Sequence, residues 1–396
     1  VEDNGYTQTT WDAQFKTTAP SSNANVTTST SVLNSQSLAT LQKIMTLTGM
    51  QGDENERNAA MLELTIGFLE KEGKIRKQIV QDLGQIGAAQ RETTKVIADA
   101  SVETALYGIG FEKVLETVSS LSKEMGRNIT ITDEDISRTA IFAEAMELSA
   151  YEVSKMVSQF DMMNISIEGA IDKGNEMAEV ARNMGVNMQG FMGIITDNMD
   201  MLNTYNFADG VKGFAKMAAQ SQRLGISMSK VAGLAEDVMD PEGAIELAAN
   251  LQVIGGAVGD LADPFKLMYM ATNDVAGLQN AIVNAGKDLV MFNKETGEMS
   301  IPPTSQRQMR AMAETLKMSK EEFAQMIKLQ SKFDSVINQL DFSSFTKEME
   351  NSGVGDYISS IAKMGDGGRY QVKVDGDMKF VDTLTPEDMK SLQADA

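Results

Sequence analysis

Carboxylates are the abundant side chains in this chain that could do acid–base chemistry, with 56 Asp and Glu among 396 residues. A glycosidase needs two carboxyl groups about 5 to 10 Å apart across a cleft. Glu144 or Glu147, paired with Asp133, are the candidates. Such pairs also arise by chance in so acidic a chain, and a carboxylate on a helix face is usually solvated. We therefore predict no catalytic pair, and a carboxylate-based cell-wall hydrolase is kept only as an alternative.

Cysteine and histidine are both absent from the sequence. Their absence excludes disulfides, thiolate nucleophiles and zinc sites of the usual kind. It also excludes every mechanism in which imidazole acts as a base or a ligand. We predict that the protein is not an enzyme and that it has no catalytic residue, cofactor or metal site.

Two glycine-rich stretches and one acidic stretch contain residue types found in binding loops. GIGFEK (108–113) and GGAVGD (255–260) follow no clear strand and lack the Lys-Ser/Thr pair of a P-loop. VDGDMKFVD (374–382) lacks the twelve-residue spacing and terminal Glu of a calcium loop. We expect the glycine stretches to be helix breaks and the acidic stretch to be a hairpin turn.

Net charge limits the partners of the chain. The formal charge is −21 and the pI is about 4.5, so the chain repels phosphate backbones. The one locally basic stretch, Lys71 to Lys77, is interleaved with acids and is typical of a solvated helix face. We predict no sequence-specific nucleic-acid binding. No run of about 18 apolar residues occurs, so no membrane span is expected.

Methionine is unusually frequent, with 29 residues, and eight of them are crowded into one region. Methionine fills irregular core gaps and also lines adaptable binding surfaces. We expect most of these side chains in the core, and a partner-binding groove is the alternative. They are Met162, Met163, Met177, Met184, Met188, Met192, Met199 and Met201.

The N-terminal third divides into two segments. Residues 1–36 are mostly small and polar, which predicts a flexible polar tail or, alternatively, an arm that orders on a neighbouring subunit. Residues 37–131 are predicted to form a long amphipathic helical region with breaks at Gly84, Gly87, Gly108 and Gly110. One apolar stripe in it is a candidate self-association surface: Met61, Leu64, Phe68, Ile75, Ile79, Leu83 and Ile86.

Residues 132–286 are predicted to form a compact multi-helix domain with tight corners. Gly185 with Asn187, and Gly225 with Ser227, each have the pattern of a helix end followed by a new N-cap. Further start signals are two capping boxes, a weaker third one and two Asp-Pro pairs. They are Ser149-x-x-Glu152, Ser319-x-x-Glu322, Thr132-x-x-Asp135, Asp240-Pro241 and Asp263-Pro264.

Two stretches have hairpin patterns instead. The first, 287–303, opens a predicted region of a hairpin plus helices over 287–350. The second, 370–382, turns at Asp375-Gly376 and belongs to a C-terminal part, 351–396, that ends in a short helix from Thr385-Pro386. The predicted fold class is therefore mainly α: a multi-helix, partly elongated helical assembly with two small β-hairpins.

Several phrases between about Glu144 and Phe333 carry a family resemblance. AEVARNMGVNMQGFMGIITDNMDML, MAAQSQRLGISMSKVAGLAEDV and MAETLKMSKEEFAQMIK resemble the helix-corner-helix phrases of tail tape-measure proteins of tailed bacteriophages. LVMFNKETGEMSIPP, followed by SQRQMRAMAETL, is also similar to the versions found in large phages. The resemblance covers about half of the chain and rests on the arrangement of elements.

The resemblance implies a structural virion protein in the tail tube lumen, assembled in the host cytoplasm, that sets tail length. Its implied partners are tail tube and baseplate or hub proteins, with self-association as a trimer or hexamer. Because family members are usually longer and this chain begins with Val1, we expect a terminal or processed portion. The alternatives are an internal virion cargo protein ejected at infection and a cytoplasmic helical adaptor, which would need sustained heptads that we do not find.

Overall fold

Helices dominate the structure, as the sequence predicts. The computed structural model describes residues 88–105, 107–126, 131–255, 258–293, 298–340, 353–365 and 368–394, together with Lys77 and Gln81. Within these ranges 74% of residues are helical, in 16 α-helices, and two small antiparallel sheets have two and three strands. The mainly α fold with two hairpins is thereby confirmed. The polar tail over 1–36 lies outside the described ranges.

A boundary between two compact units falls between Ala140 and Ile141. In the first unit, α1 (Ala88–Ala105) packs against α2 (Phe111–Met125). Gly108 has a φ of 72° in the turn between them and Gly110 is the N-cap of α2, so the predicted breaks at these two glycines are confirmed. Gly84 and Gly87 lie outside the described residues.

The second unit begins inside the third helix and contains a series of short helices, with the two sheets inserted among the later ones. The helices are α3 (Asp133–Ala145), α4 (Ala150–Met162), α5 (Ile167–Asn183), α6 (Met188–Asp197), α7 (Met201–Thr204), α8 (Val211–Leu224), α9 (Met228–Met239), α10 (Pro241–Ile254), α11 (Pro264–Asn273), α12 (Val275–Asn284), α13 (Gln306–Thr315), α14 (Lys320–Ile337), α15 (Val354–Ile361) and α16 (Pro386–Ala394).

The predicted corners form, with one error in detail. Gly185 and Gly225 take the left-handed conformation, with φ of 61° and 70°. The Asn187 side chain accepts a hydrogen bond from the Gly190 N–H at 2.9 Å, as an N-cap should. The prediction for Ser227 was wrong in part. It occupies the N-cap position of α9, but its hydroxyl pairs with that of Ser229 rather than with the helix backbone.

The capping boxes at α4 and α14 are confirmed in full. In each, the Ser149 or Ser319 hydroxyl accepts from a backbone N–H while the glutamate three residues on accepts from the serine N–H. Thr132 and Asp135 make the same reciprocal pair at the start of α3. Of the two Asp-Pro starts, only Asp263 caps its helix with a side chain, through the Phe265 and Lys266 N–H groups.

Both hairpins are present, and the second gains a strand. β1 (Met291–Phe292) pairs antiparallel with β2 (Met299–Ser300). This first hairpin is shorter than predicted, because residues 287–289 form a 3₁₀ turn before β1. β4 (Tyr370–Val374) pairs with β5 (Asp377–Phe380). β3 (Lys363–Met364) adds to the other edge of β4. The sequence gives no signal for β3, because two residues are too few to show alternation.

The C-terminal sheet shares a core with the helices beside it. Side chains of α14, α15, β4 and α16 form one buried cluster, so this sheet is an integral part of the second unit. Its members are Val336, Leu340, Val354, Ile358, Ala362, Tyr370, Val372, Val374, Val381, Leu384, Met389 and Leu392. The predicted opening of α16 is confirmed, since Thr385 and Asp388 cap it reciprocally.

The Glu322 carboxylate makes a testable contribution to acid stability. Hydrogen bonds from Lys230 on α9, then from the Ser319 backbone and hydroxyl, lower the pKa of Glu322 from 4.5 to about 2. Because the folded pKa is lowered, this stabilisation is present above about pH 4.5 and is lost as the pH falls toward 2. The side chain is a third exposed, so solvent screening limits the effect to about 1 kcal/mol.

We expect Glu322→Gln to lower the free energy of unfolding by that amount at pH 7 and to have little effect near pH 2. Urea denaturation across this pH range measures the difference. The neighbouring exposed residue Glu321 provides the matched control, as Glu321→Gln. An equal effect of both substitutions at every pH would contradict the assignment.

Candidate docking surface

The structure describes only some of the residues that were predicted to be functional. The self-association stripe from Met61 to Ile86 lies outside the described residues and stays a prediction. Asp133 is at the start of α3, whereas Glu144 is in its last turn and Glu147 lies in the turn beyond it. Eleven residues of helix span about 16 Å, so the structure does not bring these acids together as a glycosidase pair.

A cleft of about 530 Å³ lies among α5, α8, α12, α14 and α15. Four of its five charged side chains form two ion pairs. Lys216 donates to Asp209 at 2.8 Å, and Arg223 donates to Asp356 at 2.9 Å. Asp274 accepts from the Ala208 backbone at 3.4 Å. Across the described ranges, no group of three or more acids is placed to hold a metal ion. Lys216 and Arg223 of this cleft are therefore both engaged by carboxylates, while Asp274 accepts a long hydrogen bond from the backbone.

A second surface, on α10, is apolar where it should be polar. Ala244, Leu247, Ala248 and Leu251 form the buried face of this helix. On the opposite face, Ile245 is 58% exposed and Val253 is 88% exposed. Fully exposing large aliphatic side chains forgoes about 1.5–3 kcal/mol each relative to burial, so two of them on one helix make α10 a candidate interaction surface.

Helix α11 repeats this arrangement beside α10. Leu267 and Ala271 are buried, while Phe265 is 82% exposed and Tyr269 is 65% exposed. Positions four apart lie on one side of a helix. The two aromatic rings therefore form one outward row, and aromatic side chains dominate the energetics of most protein interfaces.

The two rows belong to adjacent helices. α10 packs against α11, and the Gln252 amide donates to the Ala262 carbonyl at 2.7 Å, two residues before α11 begins. The C-terminal end of α10 and the N-terminal end of α11 therefore meet at the same place. We call this surface the α10–α11 face and define it as Ile245, Ala249, Val253, Phe265 and Tyr269.

Carboxylates border the apolar part of this face. Glu242 and Glu246 are exposed and one turn apart, on the same stripe of α10 as Ala249 and Val253. Among the described residues neither carboxylate has a hydrogen-bond or ion-pair partner. The nearest lysine on α11, Lys266, is engaged by Asp260, whose hydrogen bond raises the pKa of this lysine. The part of the border that α10 contributes is therefore negative.

Sequence reasoning missed the α10–α11 face and searched among the methionines instead. Met177, Met192, Met199 and Met201 are buried in the core, Met163, Met184 and Met188 are partly buried, and only Met162 is well exposed. A signal for the α10–α11 face was present. Ile245 and Val253 are eight apart, out of phase with Leu247 and Leu251, which gives α10 two apolar sides.

Comparison with known proteins gives no relative. No protein-family model, curated protein or solved structure matches the chain. In the described part of the chain, no helix is both long and apolar enough to span a membrane.

Proposed function

We propose that this chain is a structural virion protein, a portion of a tail tape measure that docks to other tail proteins inside the tail tube. The observation that carries the proposal is the α10–α11 face. Contiguous exposed apolar surface on a folded domain marks an interaction site. A protein that acts by assembly needs such a face.

The family resemblance supports the same proposal. Its phrases span the corners at Gly185 and Gly225, and these corners join α5 to α6 and α8 to α9. They are local features of a scaffold that presents α10 and α11. Tail tube and baseplate or hub proteins are the proposed partners, and the stripe from Met61 to Ile86 is the proposed contact for a trimer or hexamer.

Tail length in the phage that encodes the chain tests the proposal. An in-frame deletion within the parent gene should shorten the tails in proportion to the residues removed, because the extended protein sets the length. Electron microscopy of purified particles measures this length. Unchanged tails of full length would contradict the tape-measure function and favour an internal cargo protein.

The α10–α11 face gives a second expectation in the same particles. The double substitution Val253→Ser and Phe265→Ser should reduce the number of completed tails severalfold without changing the length of those that form. Met162→Ser, at a residue that is also well exposed, is the matched control and should assemble normally. Equal tail yields from both variants would show that the face is not used in assembly.

A further inference from the structure

The partner of the α10–α11 face can be specified by its chemistry. Resting on the function proposed above, we propose that this face binds a basic amphipathic helix of a partner protein. Its apolar centre, Val253 with Phe265 and Tyr269, accepts the apolar side of that helix. Glu242 and Glu246, which lack partners within the described chain, accept its lysine or arginine side chains.

Geometry favours a helix as the bound element. Two adjacent helices present their side chains in parallel rows, and helical ligands read such rows with residues at positions i, i+3, i+4 and i+7. The stripe on α10 from Glu242 to Val253 covers twelve residues, with a rise of about 16 Å. A partner helix of about three turns matches this length. The acidic half of the stripe then fixes its direction, because only one end meets carboxylates.

A second copy of this chain is a poorer occupant. In a two-fold symmetric dimer residue i of one copy meets residue j of the other, so two antiparallel copies of α10 would set Glu242 and Glu246 against the apolar end of the partner helix. These carboxylates would then lose water without gaining a cationic partner, which is unfavourable.

An anionic lipid surface is a poorer occupant for a related reason. Surfaces that bind membranes combine apolar side chains with lysine and arginine, which the negative lipid headgroups attract. Here Lys266, beside the aromatic row, is engaged by Asp260, and the exposed stripe of α10 carries carboxylates and no lysine or arginine. Charge complementarity therefore favours a basic helix of another protein.

Peptide binding to the purified 396-residue chain tests the proposal without any virion. The probe is a fluorescein-labelled helical peptide of about 18 residues whose binding side carries leucines along one half and lysines along the other. The matched peptide replaces every lysine by glutamate. Fluorescence anisotropy at low and high salt gives the dissociation constants, since interactions at an exposed charged border are screened by salt.

We expect the lysine peptide to bind at least about tenfold more tightly than the glutamate peptide, with the difference reduced at high salt. Glu242→Lys with Glu246→Lys should reverse the preference, and Val253→Ser with Phe265→Ser should abolish binding of both peptides. The control Asp172→Lys with Glu179→Lys makes the same charge change at two exposed acids of α5. It should keep at least half of the preference for the lysine peptide over the glutamate peptide.

Equal binding of the two peptides, or equal weakening by the α10 and α5 charge reversals, would overturn the proposal. A second assay measures binding of the chain to vesicles that contain anionic lipid. If the chain binds these vesicles and the Val253→Ser, Phe265→Ser variant does not, the face is assigned to membranes instead. None of these results bears on tail length. Failure here and failure of the tape-measure function are therefore distinguishable.

Discussion

The Gly243→Ala variant is expected to lose about 3 kcal/mol of unfolding free energy, at the upper end of the usual cost of overpacking. Gly243 lies in the first turn of α10, directly against the end of α9. A Cβ at this position would overlap the backbone carbonyl oxygen of Asp237 and lie 3.1 Å from its carbonyl carbon. Backbone atoms cannot rotate away as a side chain can, so one of the two helices must shift.

Urea denaturation of the purified chain measures this loss, and α9 supplies a matched control. Gly233 is also a helical glycine, but a Cβ there meets no atom within 4 Å. Gly233→Ala should therefore be neutral or stabilise by up to about 1 kcal/mol, because alanine has the higher helix propensity. Equal stabilities of the two variants would show that the contact between α9 and α10 is not close.

The same substitution has a functional consequence. Any shift of α10 moves Glu242, Glu246 and Val253 relative to Phe265 on α11. We therefore expect the Gly243→Ala chain to bind the lysine peptide more weakly even under conditions where it remains folded, while Gly233→Ala binds normally.

The second large effect is expected at Arg223. Its side chain is only 7% exposed and donates to Asp356 at 2.9 Å and to the Ser359 hydroxyl at 2.8 Å. The guanidinium carbon also lies 4.3 Å from the centre of the Phe333 ring. This one side chain thus joins α8 to α14 and α15, and its aliphatic part fills space that alanine would leave empty.

We expect Arg223→Ala to lower the free energy of unfolding by about 2–3 kcal/mol. Breaking a fully buried pair costs about 3–5 kcal/mol, but Asp356 is 45% exposed and water can solvate it once the arginine is gone. Lys216→Ala is the control. Lys216 and Asp209 are 58% and 61% exposed, so their pair should contribute less than about 1 kcal/mol.

Urea denaturation curves for the two variants compare the contribution of the buried Arg223 side chain with that of the exposed Lys216 pair. A loss for Arg223→Ala no larger than for Lys216→Ala would contradict the anchoring role. Near-ultraviolet circular dichroism provides a second readout, since a loosened α15 should alter the environment of Tyr357 and Tyr370 before the helices unfold.

Local features of the fold were predictable because their signals are local. A glycine before Asn187, or a serine three residues before Glu152 or Glu322, specifies a helix end or start through backbone hydrogen bonds within one turn. Asp375-Gly376 specifies a tight turn in the same way, since both residues have positive φ. Ser227 shows where such local prediction fails, because its hydroxyl forms a hydrogen bond with the Ser229 hydroxyl instead of capping the helix.

Features that depend on tertiary contacts were not predictable. Arg223 and Asp356 are 133 residues apart, and no spacing rule connects them. The α10–α11 face was missed for a similar reason. The pattern of Ile245 and Val253 shows that α10 has two apolar sides, but only the packing of α9 and α11 decides which side is covered.

The position of the chain in an intact particle tests the central claim most directly. Electron cryo-microscopy of the phage that encodes it should show α-helical density on the tail axis, inside the tube lumen, with α10 and α11 against a tube, baseplate or hub protein. Trimeric or hexameric copy number would agree with the proposed self-association. Density in the capsid interior, or absence of the chain from the particle, would contradict the tape-measure function.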